Sequence, residues 1–514
     1  MKKIVGSALG AVVVLGVLST AGAWYTGQQL PAVLETSIKQ ANEDMGKTLP
    51  ALGLSATIEL VSLERQLFSS NARYRIQFAG SLDGESPSNF EWFVTDHIEH
   101  GPFPLSRLQA LKLLPVMATS NYALERSPEL EKWFASSQGG APLQGQVSLG
   151  YDRSMSGNLR VQPLQMALDE QTQIDFSGLQ IDFDSSADVE AISANGVMDS
   201  FKVTSTLSTD ETMRLEFKGM DLTSNSRKGV SDFYLGQNEV RLQQIELQVG
   251  ENAPILFKDF VQRDETSEAN QQLSARYSYD IGMVSYQGTD IGSSQMLWTV
   301  KNLDAAALKS MIELYGTLLQ SGKVDTESGM PELTDAQTAQ FKTDLEKLLV
   351  GKPGLALEKL AFKTANGESS FSFGLDLDKP VSFDLPAPEL AKQLIAQLDA
   401  KLLVSKAMIA DVIGVQATLA GETDKEAIAQ QAAMVGEMAS GMAVASELAV
   451  VQGQDISSSL HYANDQVTFN GKQMTVEQFV ALAMSSGGGL AGMAPETPAE
   501  EMLLEESEAE SPIQ

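Results

Sequence analysis

The sequence predicts an α+β protein: a large antiparallel β region with packed helices, preceded by one N-terminal transmembrane helix. Three observations carry this. Ile4–Trp24 (IVGSALGAVVVLGVLSTAGAW) contains no charged residue, and about 20 apolar residues are enough to cross a bilayer as a helix. Leu143–Leu303 breaks into short runs that alternate apolar and polar residues between turn signals, the pattern of antiparallel sheet with one dry and one wet face. Helical spacing dominates after Leu303 and recurs near the N-terminus, so helices flank the sheet rather than alternate with its strands.

The apolar run sets the expected organisation. Lys2 and Lys3 on its short side favour a cytoplasmic N-terminus, with everything after Trp24 on the far side of the membrane. A cleavable signal peptide is the competing reading, with Ala21-Gly22-Ala23 as the small-x-small site. The run is longer than the usual core of such a peptide, and Trp24 and Tyr25 suit the membrane–water interface. An uncleaved anchor is therefore the expectation, and both readings export the body. Ala407–Leu419 and Ala427–Val451 are also apolar, but Asp411, Glu437 and Glu447 interrupt them, which leaves one span. The expected layout is a stub at 1–3, the anchor at 4–24, an N-terminal α+β region at 25–135, a β-rich region at 143–303, an α+β region at 304–485 and a tail at 486–514.

Composition narrows the function classes. With 514 residues the chain can build a large core without staples, and it has no cysteine, which excludes thiol nucleophiles and thiolate metal sites. A net charge of −31 excludes the basic surface that nucleic acid requires. It also opposes a large body lying flat on anionic lipid. Part of the charge is local: Glu496, Glu500, Glu501, Glu505, Glu506, Glu508 and Glu510 stand in the tail with no Lys or Arg, as in a solvated, disordered segment.

Taken in order, Pro31–Leu49 spaces Leu34, Ile38, Ala41 and Met45 helically and reads as a stalk. Thr57–Leu63, Arg73–Phe78 and Phe90–Ile98 read as strands, and Leu105–Leu114 as a short helix with Leu105, Leu108, Leu111 and Leu114 on one face, ended by Pro115. Further strands are expected at Gln146–Tyr151, Asn158–Gln162, Gln173–Phe183, Ser200–Leu207, Met213–Leu222, Glu239–Val249, Leu273–Gly282 and Met296–Val300. Turn signals lie at Asp152–Gly157, Asp184–Asp188, Asn225–Gly229 and Gly250–Ala253. Ala305–Gln320 carries a helical stripe, and Thr334 with Gln337 forms a capping box for the next helix, stopped by Gly351 and Pro353. Ala356–Lys363 and Ser369–Leu377 flank Asn366-Gly367, a hairpin signal. Helices follow at Pro388–Leu394, Ser405–Val415 and Asp424–Ala449, with a strand at Leu398–Val404, a hairpin at Ile456–Phe469 turning at Asn464-Asp465, and a closing helix at Val476–Met484. The Ala/Gly/Met tract of Ala427–Ala449 reads as a tightly packed core helix, with homo-oligomerisation through Ser405–Met484 as the alternative.

Chemistry-bearing motifs are few. Asp96-His97-Ile98-Glu99-His100 is dense in metal-ligand types, but a strand sets Asp96 and His100 on one face and His97 and Glu99 on the other. Two ligands per face fall short of what zinc takes, unless His461 completes the set. A periplasmic hydrolase or metal-dependent enzyme centred on His97 and His100 is the rival function. His100-Gly101-Pro102-Phe103-Pro104 is the most distinctive segment, and it reads as a rigid strand-to-helix corner with His100 hydrogen-bonded into it. Gly46-Lys47-Thr48 and Gly487, Gly489 and Gly492 imitate nucleotide loops but follow helices instead of strands, and pairs such as Asp182 and Asp184 are unremarkable among 67 acids. No catalytic residue, cofactor or metal is implied.

Several segments together carry a family resemblance. Gly22-Ala23-Trp24-Tyr25-Thr26-Gly27, the corner with Leu105, Leu398-Asp399-Ala400-Lys401-Leu402, and Tyr462-Ala463-Asn464 with Asn470-Gly471-Lys472-Gln473-Met474 resemble the YdgA-like family of bacterial envelope proteins. The resemblance runs from the anchor to about Met484; His97 stands outside its corner motif. It implies an inner-membrane anchor and a periplasmic body, and it transfers no catalytic residue, because the family's domain is of unknown function. Gln243–Leu308 is also similar in strand pattern to AsmA-like lipid-transport proteins, whose curved sheets form apolar grooves, a likeness at the level of fold. The expectation is a non-enzymatic envelope protein that holds to the lipid bilayer through Ile4–Trp24 and binds a lipid or envelope-protein partner on its sheet.

Overall fold

The computed structural model describes residues 30–49, 54–66, 68–80, 88–137, 140–167, 171–207, 211–320, 333–453 and 455–490. Ile4–Trp24, Ala21-Gly22-Ala23, Gly492 and the acidic tail lie outside the described residues. Among the described residues no helix is long and apolar enough to cross a membrane. Two units form, one from the described residues up to Phe362 with Asp376–Leu394, the other from Lys363–Leu375 with those from Ile395 onward.

The first unit is a large antiparallel sheet with helices. Its strands are β1 (Leu54–Arg65), β2 (Ser69–Gly80), β3 (Ser88–His100), β4 (Ala118–Leu124), β5 (Leu143–Leu149), β6 (Met155–Val161), β7 (Leu164–Ala167), β8 (Thr172–Phe176) and β9 (Leu179–Ser185). There follow β10 (Ala191–Thr206), β11 (Thr212–Lys228), β12 (Tyr234–Val249), β13 (Ile255–Ala269), β14 (Gln272–Tyr286), β15 (Thr289–Asp304) and β16 (Gly354–Lys363). Pairing is antiparallel along β1-β2-β3-β4-β5-β6-β9-β10 and on through β11-β12-β13-β14-β15. Strand β8 pairs with the second half of β10 and with β7. The segment expected as one strand at Gln173–Phe183 is two, β8 and β9, because Gly178 takes a left-handed φ of 101° between them. Strand β13 was hidden in the sequence, and β11 continues to Lys228 through Asn225, where a turn was expected.

Helix α1 (Leu30–Thr48) is part of the core and not a free stalk. Its predicted stripe of Leu34, Ile38, Ala41 and Met45 is buried along β1, with Ile58, Tyr74, Ile76, Val94 and Leu159 below. Asn42 fixes the contact: its amide nitrogen donates to the Ile58 carbonyl at 2.9 Å and its oxygen accepts from the Ile58 N–H at 2.8 Å. A polar side chain thus satisfies an edge-strand residue that the ladder leaves open. The short helices α2 (Leu105–Gln109) and α3 (Glu131–Ser136) follow β3 and β4, and Phe134 of α3 joins the same core. After β15 come α4 (Ala305–Gln320), which touches α1, and α5 (Asp335–Val350). The capping box on α5 forms in both directions between Thr334 and Gln337. Helix α6 (Ala387–Leu394) closes the unit.

The second unit contains most of β17 (Glu368–Leu377), with β18 (Ile395–Ser405), α7 (Lys406–Leu419), α8 (Lys425–Ala445), β19 (Val450–Gln452), β20 (Asp455–Ala463), β21 (Gln466–Phe469), β22 (Lys472–Thr475) and α9 (Val476–Leu490). Strand β20 pairs with β18, β19 and β21. Asn464 and Asp465 make the predicted tight turn with φ of 52° and 59°. Asp411 of α7 accepts from Thr364, from the Asn366 backbone at 2.8 Å and from the Asn366 amide at 2.7 Å, so the acid that interrupts an apolar run is a fastener. Helix α8 differs from the expected core helix. It buries the small residues Ala432, Gly436 and Ser440, while Met434, Met438 and Met442 on its other side are exposed.

Candidate functional site

Two features stand out among the described residues: the corner after β3 and the inner face of the long strands.

At the corner, Gly101 donates its N–H to the Met117 carbonyl at 2.6 Å and Val116 donates to Pro102 at 3.0 Å, so the chain leaves β3 and returns to β4 beside itself. A Cβ on Gly101 would overlap the carbonyl oxygens of Val116 and Met117, which is why the position holds glycine. The Gly101–Pro102 peptide is cis. The His100 backbone N–H donates to the Phe68 carbonyl at 2.8 Å, and its Nε2 lies 3.1 Å from Ser70 Oγ. Pro104 is buried at the start of α2, while Pro102 and Phe103 face outward. The motif is a joint that ties the β1–β2 turn to the β3–β4 connection.

The rival metal reading does not assemble. His97 is exposed, with Nδ1 at 2.7 Å from Asn71 Oδ1, and points away from the face of His100. His461 belongs to the second unit, where its Nδ1 meets Asp399 at 2.7 Å. Among the described residues no group of three or more His, Asp or Glu side chains is arranged to hold a metal. Gly46-Lys47-Thr48 lies at the end of α1 rather than after a strand, so it is no phosphate loop. A depression of about 430 Å³ at the far end of β1–β3, lined by Ser55, Thr57, Gln77, Phe90 and Glu91, holds no histidine and lies away from the corner.

One acid does sit in the core. Asp96 is fully buried on β3 and accepts from Ser120 Oγ at 2.7 Å through one oxygen. Its other oxygen faces Tyr74 Oη without hydrogen-bond geometry, so both atoms are buried and unpaired. Burial pushes the Asp96 carboxyl up to about 7, against the pull of the Ser120 bond. Tyr74 and Tyr122 are raised by burial and then by the Asp96 charge. The group lies on the core face of β3 between Val94 and Ile98, not in a crevice.

The inner face changes character beyond β9. Across β8 and β10–β14 the register aligns Phe176, Phe201, Phe217, Ile245, Phe257 and Val284 in one cross-strand row. A second row aligns Met198, Met220, Leu242, Phe260 and Ile281, and a third Leu222, Val240, Gln262, Tyr279 and Met296. Between the first two rows the alternation slips by one residue at a shared level. The ladder skips Gly219, Gln243 and Asp259 there, and Gly219 and Asp259 have φ of 61° and 54°. A left-handed residue turns the next side chain over without ending the strand, so apolar residues of both halves stay on the inward side. Almost all of these side chains are half-buried; Leu215 and Leu242 alone of β11 and β12 are closed off. The rows are therefore an apolar surface left half open.

Sequence reasoning found the corner but not the rows. Their signal was present as a one-residue slip at a common level, legible only after the strands are set in register.

The chain matches, over residues 1–477, the family described as bacterial protein of unknown function (DUF945). It is 26% identical to Protein YdgA of Escherichia coli over 92% of this chain and 95% of that protein. It is 21% identical to the uncharacterized protein YihF of the same organism, over 93% of this chain and 98% of the other. No solved structure matches. Family match and full-length similarity agree with the resemblance carried by the corner and the anchor: the chain belongs to the DUF945 family, of which YdgA-like proteins are members.

Proposed function

We infer that this chain is a single-pass inner-membrane protein, N-terminus in the cytoplasm and body in the periplasm, that works without catalysis by holding lipid acyl chains on the inner face of β10–β15. One observation supports the ligand: two aligned apolar rows, and a third interrupted by Gln262, remain largely half-buried across strands of 15 to 17 residues. Apolar surface left partly in water gains roughly 25 cal/mol per Å² when covered, and a contiguous patch of this kind marks a binding face. Smooth, uncharged rows fit hydrocarbon better than a directional polar ligand. The anchor rests on Ile4–Trp24 and on Lys2 and Lys3. The net charge of −31 argues against nucleic acid as a partner.

The test is the organic extract of the purified full-length protein. Phospholipid in the wild type, lost in a Phe217→Glu/Phe257→Glu variant that folds normally, is expected. Equal lipid in both proteins, or none in either, overturns the ligand. A periplasmic reporter fused after Leu30 that stays silent overturns the topology.

A further inference from the structure

The connection between β3 and β4 is built inside out. The sequence places Leu105, Leu108, Leu111 and Leu114 on one face of a helix over Leu105–Leu114. Instead α2 ends at Gln109, Leu111 takes a left-handed φ of 57°, and the leucines face solvent. Phe103 is 54% exposed, Leu105 61%, Leu111 82%, Leu113 66% and Leu114 78%, and Phe68 in the adjoining β1–β2 turn is 76% exposed. The charge goes the other way. Arg107 is buried and donates to Ser148 Oγ at 3.0 Å and to the Leu114 carbonyl at 3.4 Å. The Ser106 N–H donates to Glu99 at 2.9 Å, and the Lys112 N–H to the Arg107 carbonyl at 2.9 Å. A connection pinned from within by its charge and showing its leucines outward is shaped for an apolar exterior.

Position and charge identify that exterior. The link from α1 to β1 is short, with Leu54 donating to Leu49 at 3.1 Å, so α1 runs back along β1. Asn42 lies level with Ile58. From Asn42 back to Leu30 is 12 residues (42 − 30), roughly 18 Å of helix. From Ile58 on to Arg65 is 7 residues (65 − 58), roughly 23 Å of strand. The first residue of α1 therefore reaches about the level of the β1–β2 turn, where the His100 N–H meets Phe68. Leu30, the first described residue of α1, lies at the same end of the body as the exposed leucines, and the apolar Ile4–Trp24 run precedes it in the sequence. In a chain with 67 acids against 36 bases, residues 100–124 contain Arg107 and Lys112 and no acid. Lys112 is its exposed charge, and the segment, like residues 65–82 of the adjoining strands, brings no acid to oppose an anionic lipid surface.

We propose that the Phe103–Leu114 connection, with Phe68, is a second membrane contact: it dips into the bilayer leaflet that the anchor leaves, and so sets the orientation of the body. This rests on the anchor reading above. The test uses the full chain, whose lack of cysteine makes single labels unambiguous. Leu111→Cys and Leu114→Cys carry an environment-sensitive fluorophore, with Gln287→Cys in the β14–β15 turn at the opposite end as control. Each protein is reconstituted in phosphatidylethanolamine/phosphatidylglycerol vesicles with and without doxyl-labelled lipid. Blue-shifted, lipid-quenched emission at 111 and 114 but not at 287 is expected. Water-like, unquenched emission at 111 and 114 in vesicle-bound protein overturns the docking and leaves the anchor standing. A blue shift without lipid quenching assigns the leucines to a second copy or another protein and also overturns it. Absence of the chain from the vesicle fraction overturns the anchor reading and the docking with it.

Discussion

One sheet face runs from β1 to β15, and its two halves are finished differently. Over β1–β6 the face is closed by α1 and α3: Leu34, Tyr74, Val94, Ile98 and Leu159 are essentially inaccessible. Over β10–β15 side chains of the same apolar kind, Phe217, Ile245, Phe257 and Ile281, stay half-buried. Strand chemistry does not separate the halves, since both alternate apolar with polar. Among the described residues, what separates them is a helix laid along the first half and none matched to the second. The closed half supplies stability and the open half keeps unspent apolar surface, which is the physical basis for assigning binding to the second.

The largest expected effect concerns the one acid in the closed half. A carboxyl carried from its ordinary range to about 7 differs by roughly 4 kcal/mol between its two forms. Because the folded value is raised, the protonated form is favoured in the fold. The contribution is full below about pH 4 and is lost as pH rises through about 7. Asp96→Asn is therefore expected to match wild type in denaturant melts near pH 4 and to exceed it at pH 8. Equal pH profiles for the two proteins would show that Asp96 is solvated, and the closed half open. Next, Leu159→Ala should cost about 3 kcal/mol in urea unfolding, as for a buried leucine in a close-packed core. Asn42→Ala removes both bonds to Ile58 and should cost about 1–2 kcal/mol, read as faster amide exchange in β1 as well as a lower midpoint. Smallest, Val284→Ser in the open half should cost under about 1 kcal/mol while weakening lipid retention. A cost for Val284→Ser equal to that for Leu159→Ala would erase the difference between the halves.

Much of the closed half could be read from the chain. The stripe Leu34, Ile38, Ala41 and Met45 marks its buried face at helical spacing, and Thr334 with Gln337 announces a helix start by side-chain chemistry alone. Spacing states that a helix has two faces without stating which one meets the core. Leu105–Leu114 shows the consequence: the leucines recur helically, yet Arg107 turns inward and the leucines outward. Strand β13 escaped for a related reason. Ile255, Leu256 and Phe257 are followed by Phe260 and Val261 around the left-handed Asp259, which breaks the period of two that a strand needs to be recognised. The expected stalk at Pro31–Leu49 had the right helix and the wrong neighbour, since only three-dimensional pairing brings Asn42 to Ile58. The corner was legible because Gly101 and the prolines of His100–Pro104 constrain the backbone locally. The open rows were not, because they exist only between strands.

The central claim, that hydrocarbon occupies the open half, is tested most directly by placing a photoreactive benzoylphenylalanine at Phe257 in the full-length protein and irradiating intact cells. The same probe at Glu246, next to Ile245 and so on the opposite face of β12, serves as the comparison. The prediction is a phospholipid adduct at Phe257, identified by mass, and little or none at Glu246. A protein adduct at Phe257, or no adduct at either position, would contradict it.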